Sequence, residues 1–294
     1  MFLNNFEYYA PGTAGEALQL IGSLGEQARV LAGGTDLIPM MKDKSISPRY
    51  LIDINNVKEF RGLNYEAGKG AVIGTATKIS EIEHSAIIRE KYYALHQAST
   101  NLGSAQVRFM ATIGGNNCHA SPAAETPTPL VALGTIVVIS SISGERELPL
   151  EDFITGNRQT ALKAGELLVR FILPEPAPHS ASRYMFMGLR DAMEIDAVNM
   201  AVNMVLEADS NRIKAMKFVM GSVAPKPIVS AKVPELLVGQ EFTSALLEKA
   251  AMAAAGEARP ISDIRASAEY RQEIVAVLTR RLLREAYNAA QEVQ

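Results

Sequence analysis

The chain has 294 residues, 48% of them apolar, and a net charge of −3 from 29 basic and 32 acidic side chains. This composition supports sizeable cores in two or three compact units and excludes disorder, while the lack of a basic tract excludes a nucleic-acid partner. The single thiol, Cys118, excludes an intrachain disulfide and an iron–sulfur cluster held by this chain alone. No apolar run reaches the ~18 residues of a membrane span, and the first residues lack a charged segment followed by an apolar one. Neither a span nor a signal peptide is therefore expected, and the expected location is the cytoplasm.

In chain order, Phe6–Tyr9 reads as a short strand, and Thr13-Ala14-Gly15-Glu16 as a capping box opening a helix through Leu24. Ala28–Leu31 is a strand, Asp36–Met41 a helix start, and Tyr50–Ile54 a strand. A second unit begins near Lys58, with a strand over Ala71–Gly74, a capping box at Ser80-Glu81-Ile82-Glu83 and a helix from Ala86 to Leu102. Val107–Ile113 reads as strand-like, Leu130–Leu133 as a short helix, and Thr135–Ser140 and Glu166–Leu173 as strands. Pro174-Glu175-Pro176-Ala177-Pro178 breaks both helix and sheet and marks a linker. Beyond it Val198, Met200, Val202, Met204 and Leu206 alternate as in a half-buried strand, and Ile213–Met220 forms a second. The pattern then turns helical over Thr243–Glu257 and Ser267–Glu292. Strands packed by helices make this last part an α+β unit. Strand alternation already accounts for Met200 and Met204, so the methionines there read as core filling.

Two glycine pairs stand out, in Ala32-Gly33-Gly34-Thr35-Asp36-Leu37 and in Thr112-Ile113-Gly114-Gly115-Asn116-Asn117-Cys118-His119-Ala120-Ser121-Pro122-Ala123-Ala124-Glu125-Thr126-Pro127. Each follows an apolar run and precedes small or hydroxylated residues. Such pairs allow φ > 0 and close approach to a ligand, and successive N–H groups can form a nest for phosphate oxygens. With no Lys or Arg in Leu31–Met41 or Thr112–Gly144, amides and the hydroxyls of Thr35, Thr112 and Ser121 would hold an anion. Two such loops suit two linked phosphates, as in a dinucleotide. Neither a Gly-x-Gly-x-x-Gly nor a Gly-x4-Gly-Lys-Ser/Thr motif occurs, so the Rossmann and P-loop mechanisms do not apply. His84, His96, His119 and His179 show no metal-ligand spacing. No nucleophile elbow or acid–base apparatus is visible, an absence that suits electron transfer by a flavin.

Further segments accompany the glycine pairs: Tyr50-Leu51-Ile52-Asp53-Ile54, Ile73-Gly74-Thr75-Ala76-Thr77, Gln106-Val107-Arg108, Arg190-Asp191-Ala192-Met193-Glu194-Ile195, Gly221-Ser222-Val223-Ala224-Pro225-Lys226-Pro227 and Arg265-Ala266-Ser267-Ala268-Glu269-Tyr270-Arg271. In this order and nearly end to end, the set resembles the FAD-binding medium subunits of the molybdenum hydroxylases. That family includes xanthine and carbon monoxide dehydrogenases, and the look is nearest to bacterial xanthine dehydrogenase FAD-binding subunits. The resemblance implies a two-subdomain FAD-binding fold of the vanillyl-alcohol-oxidase (PCMH) type, over 1–57 and 58–175. A smaller α+β domain of antiparallel strands packed with helices would follow at 179–294.

By the same resemblance, Leu31, Ala32, Gly33, Gly34, Thr35, Asp36 and Leu37 would wrap the FAD pyrophosphate from one side. Thr112, Gly114, Gly115 and Asn116 would line it from the other, reaching toward the ribityl chain. Ser121 would supply a hydroxyl, and Leu102, Leu168 and Phe186 further contacts. Glu125 stands where the family has Asp, a carboxylate for a ribose or ribityl hydroxyl. Phe186 stands where xanthine dehydrogenase relatives have a Lys near the isoalloxazine, four residues before the Arg at Arg190. Asp53 is open between a strand-end cap and a cofactor contact; Lys78 reads as a solvated surface residue, Cys118 as a small loop residue, and Arg265, Glu269 and Tyr270 as structural.

The implied assembly is a hetero-oligomer with a large molybdopterin subunit and a small subunit carrying 2Fe–2S clusters, FAD being the only cofactor of this chain. The implied activity is that of an oxidoreductase subunit passing electrons from the iron–sulfur subunit to an acceptor such as NAD⁺. A stand-alone flavoprotein oxidoreductase, a nucleotide-binding or assembly module without redox activity, and plain scaffolding within the complex are the alternatives.

Overall fold

A computed structural model of the protein describes residues 3–190, 193–210 and 212–292. Met1 and Phe2 of the N-terminal reading, and Asp191 and Ala192 of the Arg190–Ile195 segment, lie outside the described residues.

The chain opens with β1 (Glu7–Tyr9), α1 (Ala14–Leu24), β2 (Ala28–Leu31), α2 (Leu37–Lys42) and β3 (Tyr50–Asp53). The strands form a parallel sheet in the order β1-β3-β2. Thr13 caps α1 by accepting the N–H of Glu16, while the Glu16 carboxylate reaches back to the N–H of Gly12.

There follow β4 (Leu63–Glu66), β5 (Gly70–Gly74), α3 (Ile79–Glu83), α4 (Ala86–Lys91), α5 (Tyr93–Asn101), α6 (Ala105–Met110), α7 (Ile113–His119) and α8 (Pro127–Ala132). The unit closes with β6 (Ile136–Ser141), β7 (Gly144–Pro149), α9 (Leu150–Phe153), β8 (Ile154–Gly156), β9 (Gln159–Thr160) and β10 (Leu167–Leu173). Its main sheet is antiparallel, in the order β4-β5-β10-β6-β7. Val138 and Val169 face a core shared with Ala17, Ile21 and Ile52 of the first unit, whereas Val137, Ile139 and Phe171 face the helices.

Several local readings change here. The helix expected over Ala86–Leu102 breaks at Tyr92, whose φ of −130° ends α4 before α5 begins. The capping box expected at Ser80 gives way to a one-sided contact two residues earlier, where Glu81 accepts the N–H of Lys78 and the lysine side chain, having no acceptor, returns none. The strand-like run Val107–Ile113 is instead α6 and the start of α7. Ser104 caps α6 by accepting the Val107 N–H, and a two-pronged Arg108–Glu83 ion pair at 2.7 and 3.0 Å pins it to α3. The short helix expected over Leu130–Leu133 begins at Pro127, since proline needs no N–H donor in a first turn.

After the prolines come β11 (Ser180–Met187), β12 (Val198–Leu206), β13 (Ile213–Gly221), β14 (Ile228–Val229), α10 (Lys232–Leu237), α11 (Ser244–Glu257) and α12 (Ala268–Glu292). The four strands form an antiparallel sheet in sequence order. Met200, Met204 and Met220 pack on one face against Leu278 and Leu282 of α12. The half-buried reading of β12 gives way to burial on both faces, because Tyr184, Ala201 and Val219 join the core of the second unit.

Candidate functional site: a cleft where the three units meet

The segment after β2 turns sharply. Gly34 takes φ 72°, and a Cβ on Gly33 would stand 2.4 Å from the Met110 carbonyl oxygen. Glycine at 33 therefore lets the first loop lie directly on the α6–α7 junction. Two side chains clamp that contact. Asn55 donates to the Ala32 carbonyl at 2.7 Å, and the Lys78 ammonium donates to Asn55 Oδ1 at 3.1 Å and to the Met110 carbonyl at 3.0 Å. Lys78 is thus half-buried rather than a solvated surface residue, and burial, with Arg61 nearby, holds its ammonium below lysine's usual range. Asp53 ends β3 by accepting the Asn55 N–H at 2.8 Å and the Tyr8 hydroxyl at 2.5 Å, the strand-end role.

The second glycine pair is not a positive-φ turn. Gly114 and Gly115 form the first turn of α7, capped by Thr112, whose hydroxyl accepts the Gly115 N–H at 3.0 Å. The Gly114 N–H donates to the Thr75 carbonyl at 2.9 Å and the Asn116 N–H to the Thr112 carbonyl at 3.0 Å. A Cβ on Gly114 would meet Thr75 Oγ1 at 1.8 Å, so this glycine serves helix–strand contact rather than an amide nest. The first loop differs. Among the described residues, no protein acceptor takes the N–H groups of Gly33, Gly34, Thr35 or Asp36. Successive unpaired amides ahead of a helix suit a bound anion.

Beside this loop lies a cleft of about 580 Å³. Asp36 enters it from the first unit; Asn116, Ser121 and Glu125 enter from the second; Asp196 and Arg271 enter from the third. Asp36 and His119 approach to 3.6 Å across the gap between the loop and the end of α7. Asn116 is fixed by accepting the Thr126 hydroxyl at 2.5 Å. Burial, and next the charge of Asp196, push the Glu125 carboxyl up to about 8. Asp196 is also raised by burial, but hydrogen bonds from Tyr184, Asn101 and Asn199 limit it to about 6. Arg271, 4% exposed, donates to the Ala197 and Ser222 carbonyls at 2.7 and 3.1 Å and pairs with Asp263 at 2.8 Å.

Of the residues singled out in the sequence, Ala32–Leu37 and Thr112–Asn116 are brought together, with Leu31 under Gly34 and Ser121 and Glu125 on the cleft wall. Leu102 and Leu168 are core side chains of the second unit, off the cleft wall. Phe186 sits one ring behind it, stacked at 6.3 Å on Tyr184, whose hydroxyl holds Asp196. Cys118 packs against the core from α7, and burial pushes its thiol up to about 12. Asp196 and Arg271 carry no signal of their own in sequence, and His119 stands out only as a member of the second glycine-pair segment. Asp196 was discernible only as a charge directly ahead of an apolar strand, and Arg271 only as the last residue of a recognised segment.

The sequence profile described as "FAD binding domain in molybdopterin dehydrogenase" matches residues 4–176, and "CO dehydrogenase flavoprotein C-terminal domain" matches 158–286. The chain belongs to the FAD-binding medium-subunit family of the molybdenum hydroxylases. The carbon monoxide dehydrogenase medium chain of Hydrogenophaga pseudoflava is 31% identical, over 96% of this chain and 97% of that one. A putative xanthine dehydrogenase FAD-binding subunit of Escherichia coli is 29% identical, over 96% of each. The solved Hydrogenophaga pseudoflava carbon monoxide dehydrogenase lacking the Mo-pyranopterin moiety superposes with a TM-score of 0.93 at 31% identity, covering 99% of both chains. Quinoline 2-oxidoreductase from Pseudomonas putida does so with 0.91 at 27%, again over 99% of both. This flavoprotein subunit is accordingly an oxidoreductase subunit with FAD as its cofactor, in the α+β fold expected. Among the described residues no helix is long and apolar enough to cross a membrane.

Proposed function

We propose that this subunit holds FAD between its first two units and serves as the electron exit of a molybdenum hydroxylase complex. The observation that carries this reading is the Gly33–Asp36 loop, whose unpaired amides lie beside the cleft and are clamped to the α6–α7 junction by Lys78 and Asn55. Those amides would hold the pyrophosphate, each such charge-assisted bond contributing about 1.5–3 kcal/mol. Asn116, Ser121 and Glu125 would contact the ribose and ribityl hydroxyls. The second glycine pair would serve as the wall that positions them. When bound, FAD supplies the coupling of one-electron to two-electron transfer that joins an iron–sulfur donor to an acceptor such as NAD⁺. The partners of this reading are a molybdopterin-binding large subunit and a small subunit with 2Fe–2S clusters, in a cytoplasmic hetero-oligomer. The working division of the chain is 1–57, 58–175 and 179–294, with cores shared across both boundaries.

Gly33→Ala tests the site. Its Cβ would meet backbone at Met110 and Ala111, which cannot step aside as a flexible side chain can. The variant is expected to purify without flavin absorbance near 450 nm while keeping the far-UV circular dichroism of the wild type. Stoichiometric FAD in Gly33→Ala would overturn the assignment.

A further inference from the structure

Asp196 precedes β12 and is 1% exposed, yet it forms no salt bridge among the described residues. Its carboxylate instead accepts hydrogen bonds from Tyr184 Oη at 2.7 Å, Asn101 Nδ2 at 3.1 Å and Asn199 Nδ2 at 3.2 Å. These donors come from β11, the last residue of α5, and β12. Asn199 is held in turn, its Oδ1 accepting the Thr128 hydroxyl of α8 at 2.7 Å. A carboxyl surrounded by donors matches the acceptor-only, ionised form. With no cation against it, that charge is felt in the cleft, which Glu125 lines from the turn between α7 and α8.

Resting on the FAD reading above, we propose that Asp196 is a positioning residue whose fixed carboxylate keeps the Glu125 carboxyl protonated, so that Glu125 meets the cofactor as a hydrogen-bond donor. Two like charges in a low-dielectric cleft do not both ionise readily, and the better hydrogen-bonded partner keeps the charge. The shifts agree in direction: burial first, and then the Asp196 charge, raise Glu125 to about 8 against hydrogen bonding from Asn116, whereas Asp196 rises only to about 6. The other charged groups around the cleft leave this order intact. Asp36, from the first loop, adds a further negative charge and has His119 of α7 beside it at 3.6 Å. Arg271, from α12, gives its terminal nitrogens to two carbonyls and Asp263, and its buried Nε has no partner among the described residues. Arg265 is likewise taken by Asp263, Arg259 by the Gly256 and Ala258 carbonyls, and Glu194 by Arg190. Arg158, on the turn between β8 and β9, is exposed at the mouth and screened by solvent. A neutral Glu125 adds no negative charge to a cleft that receives a diphosphate, whereas an ionised one does.

The test is an FAD titration of the full-length chain by flavin fluorescence between about pH 6 and pH 10, on the wild type, Glu125→Gln and Asp196→Asn. In the wild type, Kd is expected to be flat below about 8 and to rise roughly tenfold per pH unit above it. Glu125→Gln, which cannot ionise, should show no such rise with pH, whatever its own affinity. Asp196→Asn should move the rise downward by about one pH unit. Difference infrared spectroscopy on the protein without added FAD provides a second readout. A protonated-carboxyl band present at neutral pH should be lost in Glu125→Gln and titrate earlier in Asp196→Asn, or in Asp196→Ser if the amide fails to fold. A pH-independent wild-type Kd, or an unchanged midpoint in the folded Asp196 variant, overturns the proposal. FAD binding that survives Gly33→Ala would instead overturn the site reading beneath it.

Discussion

Lys78 is the residue on which the two loops depend most directly. Its ammonium reaches Asn55 Oδ1 at 3.1 Å and the Met110 carbonyl at 3.0 Å, and Asn55 in turn reaches the Ala32 carbonyl. A half-buried charge is stable here only because both oxygens compensate its lost hydration. Lys78→Met keeps the apolar stem and removes the donors. The expected cost is about 1–3 kcal/mol in urea denaturation, since the freed acceptors are only partly reached by water. FAD affinity should fall by roughly tenfold, because 1.4 kcal/mol of misplacement at the Gly33 loop corresponds to that factor. Unchanged stability together with unchanged affinity would show that the clamp contributes nothing. Lys78 reads as a solvated residue in sequence because a lysine after a strand has the same local pattern whether it is solvated or folded back over a neighbouring loop.

Elements with a regular period or a cap were legible: α1 from its Thr13 box, β12 and β13 from alternation, and α11 and α12 from their apolar stripes. What escaped was set by tertiary contact. The six-residue α6 contains β-branched and aromatic residues that read as strand, and its helical state is supported by Ser104 and by the Arg108–Glu83 pair. The Gly114–Gly115 pair has the composition of a turn, but the close approach of Thr75 selects glycine within a helix. Strands β11 and β14 lacked clear alternation and were not foreseen. The long α12 shows how one residue can anchor an element. Arg271 joins its first turn to the Ala197 and Ser222 carbonyls and to Asp263. Burial alone would raise the Asp263 carboxyl, yet hydrogen bonds from the Arg265 N–H and the Arg271 guanidinium outweigh it and bring it down to about 2. A carboxyl lowered on folding stabilises above its ordinary range, and that contribution is lost as pH falls from about 4 toward 2. Asp263→Asn should therefore lower Tm at neutral pH, with the difference from wild type closing in that acidic window. A difference that persists unchanged at pH 2 would assign the effect to packing rather than to the charge. Arg271→Met should cost about 2–3 kcal/mol, because it strands two buried carbonyls as well as the carboxylate.

At the scale of the whole molecule, one cleft takes a wall from each unit: Asp36 from the first, Asn116 and Glu125 from the second, Asp196 and Arg271 from the third. On the proposed reading, cofactor affinity and cofactor potential are properties of the assembled fold, and a side chain on the third sheet would tune a flavin gripped by the first. Phe186 is placed for this. It lies on the face of β11 turned toward the second unit, stacked on Tyr184 and one hydrogen bond removed from Asp196. The sequence resemblance implies a Lys at the matching position of xanthine dehydrogenase relatives, and a cation beside the ring favours the reduced, anionic flavin. With phenylalanine here and the Asp196 carboxylate close by, reduction is expected to be less favoured. A unit charge about 6 Å away at an effective dielectric near 20 contributes about 3 kcal/mol, roughly 60 mV for a two-electron couple. Phe186→Lys should accordingly raise the flavin midpoint potential by tens of millivolts, less whatever the nearby carboxylate offsets. Phe186→Met changes shape without charge and should leave the potential near the wild-type value. An upward shift in the lysine variant alone identifies electrostatics as the cause. Equal shifts in both variants would trace the effect to repacking against Tyr184, and no shift in either would remove Phe186 from the flavin's surroundings.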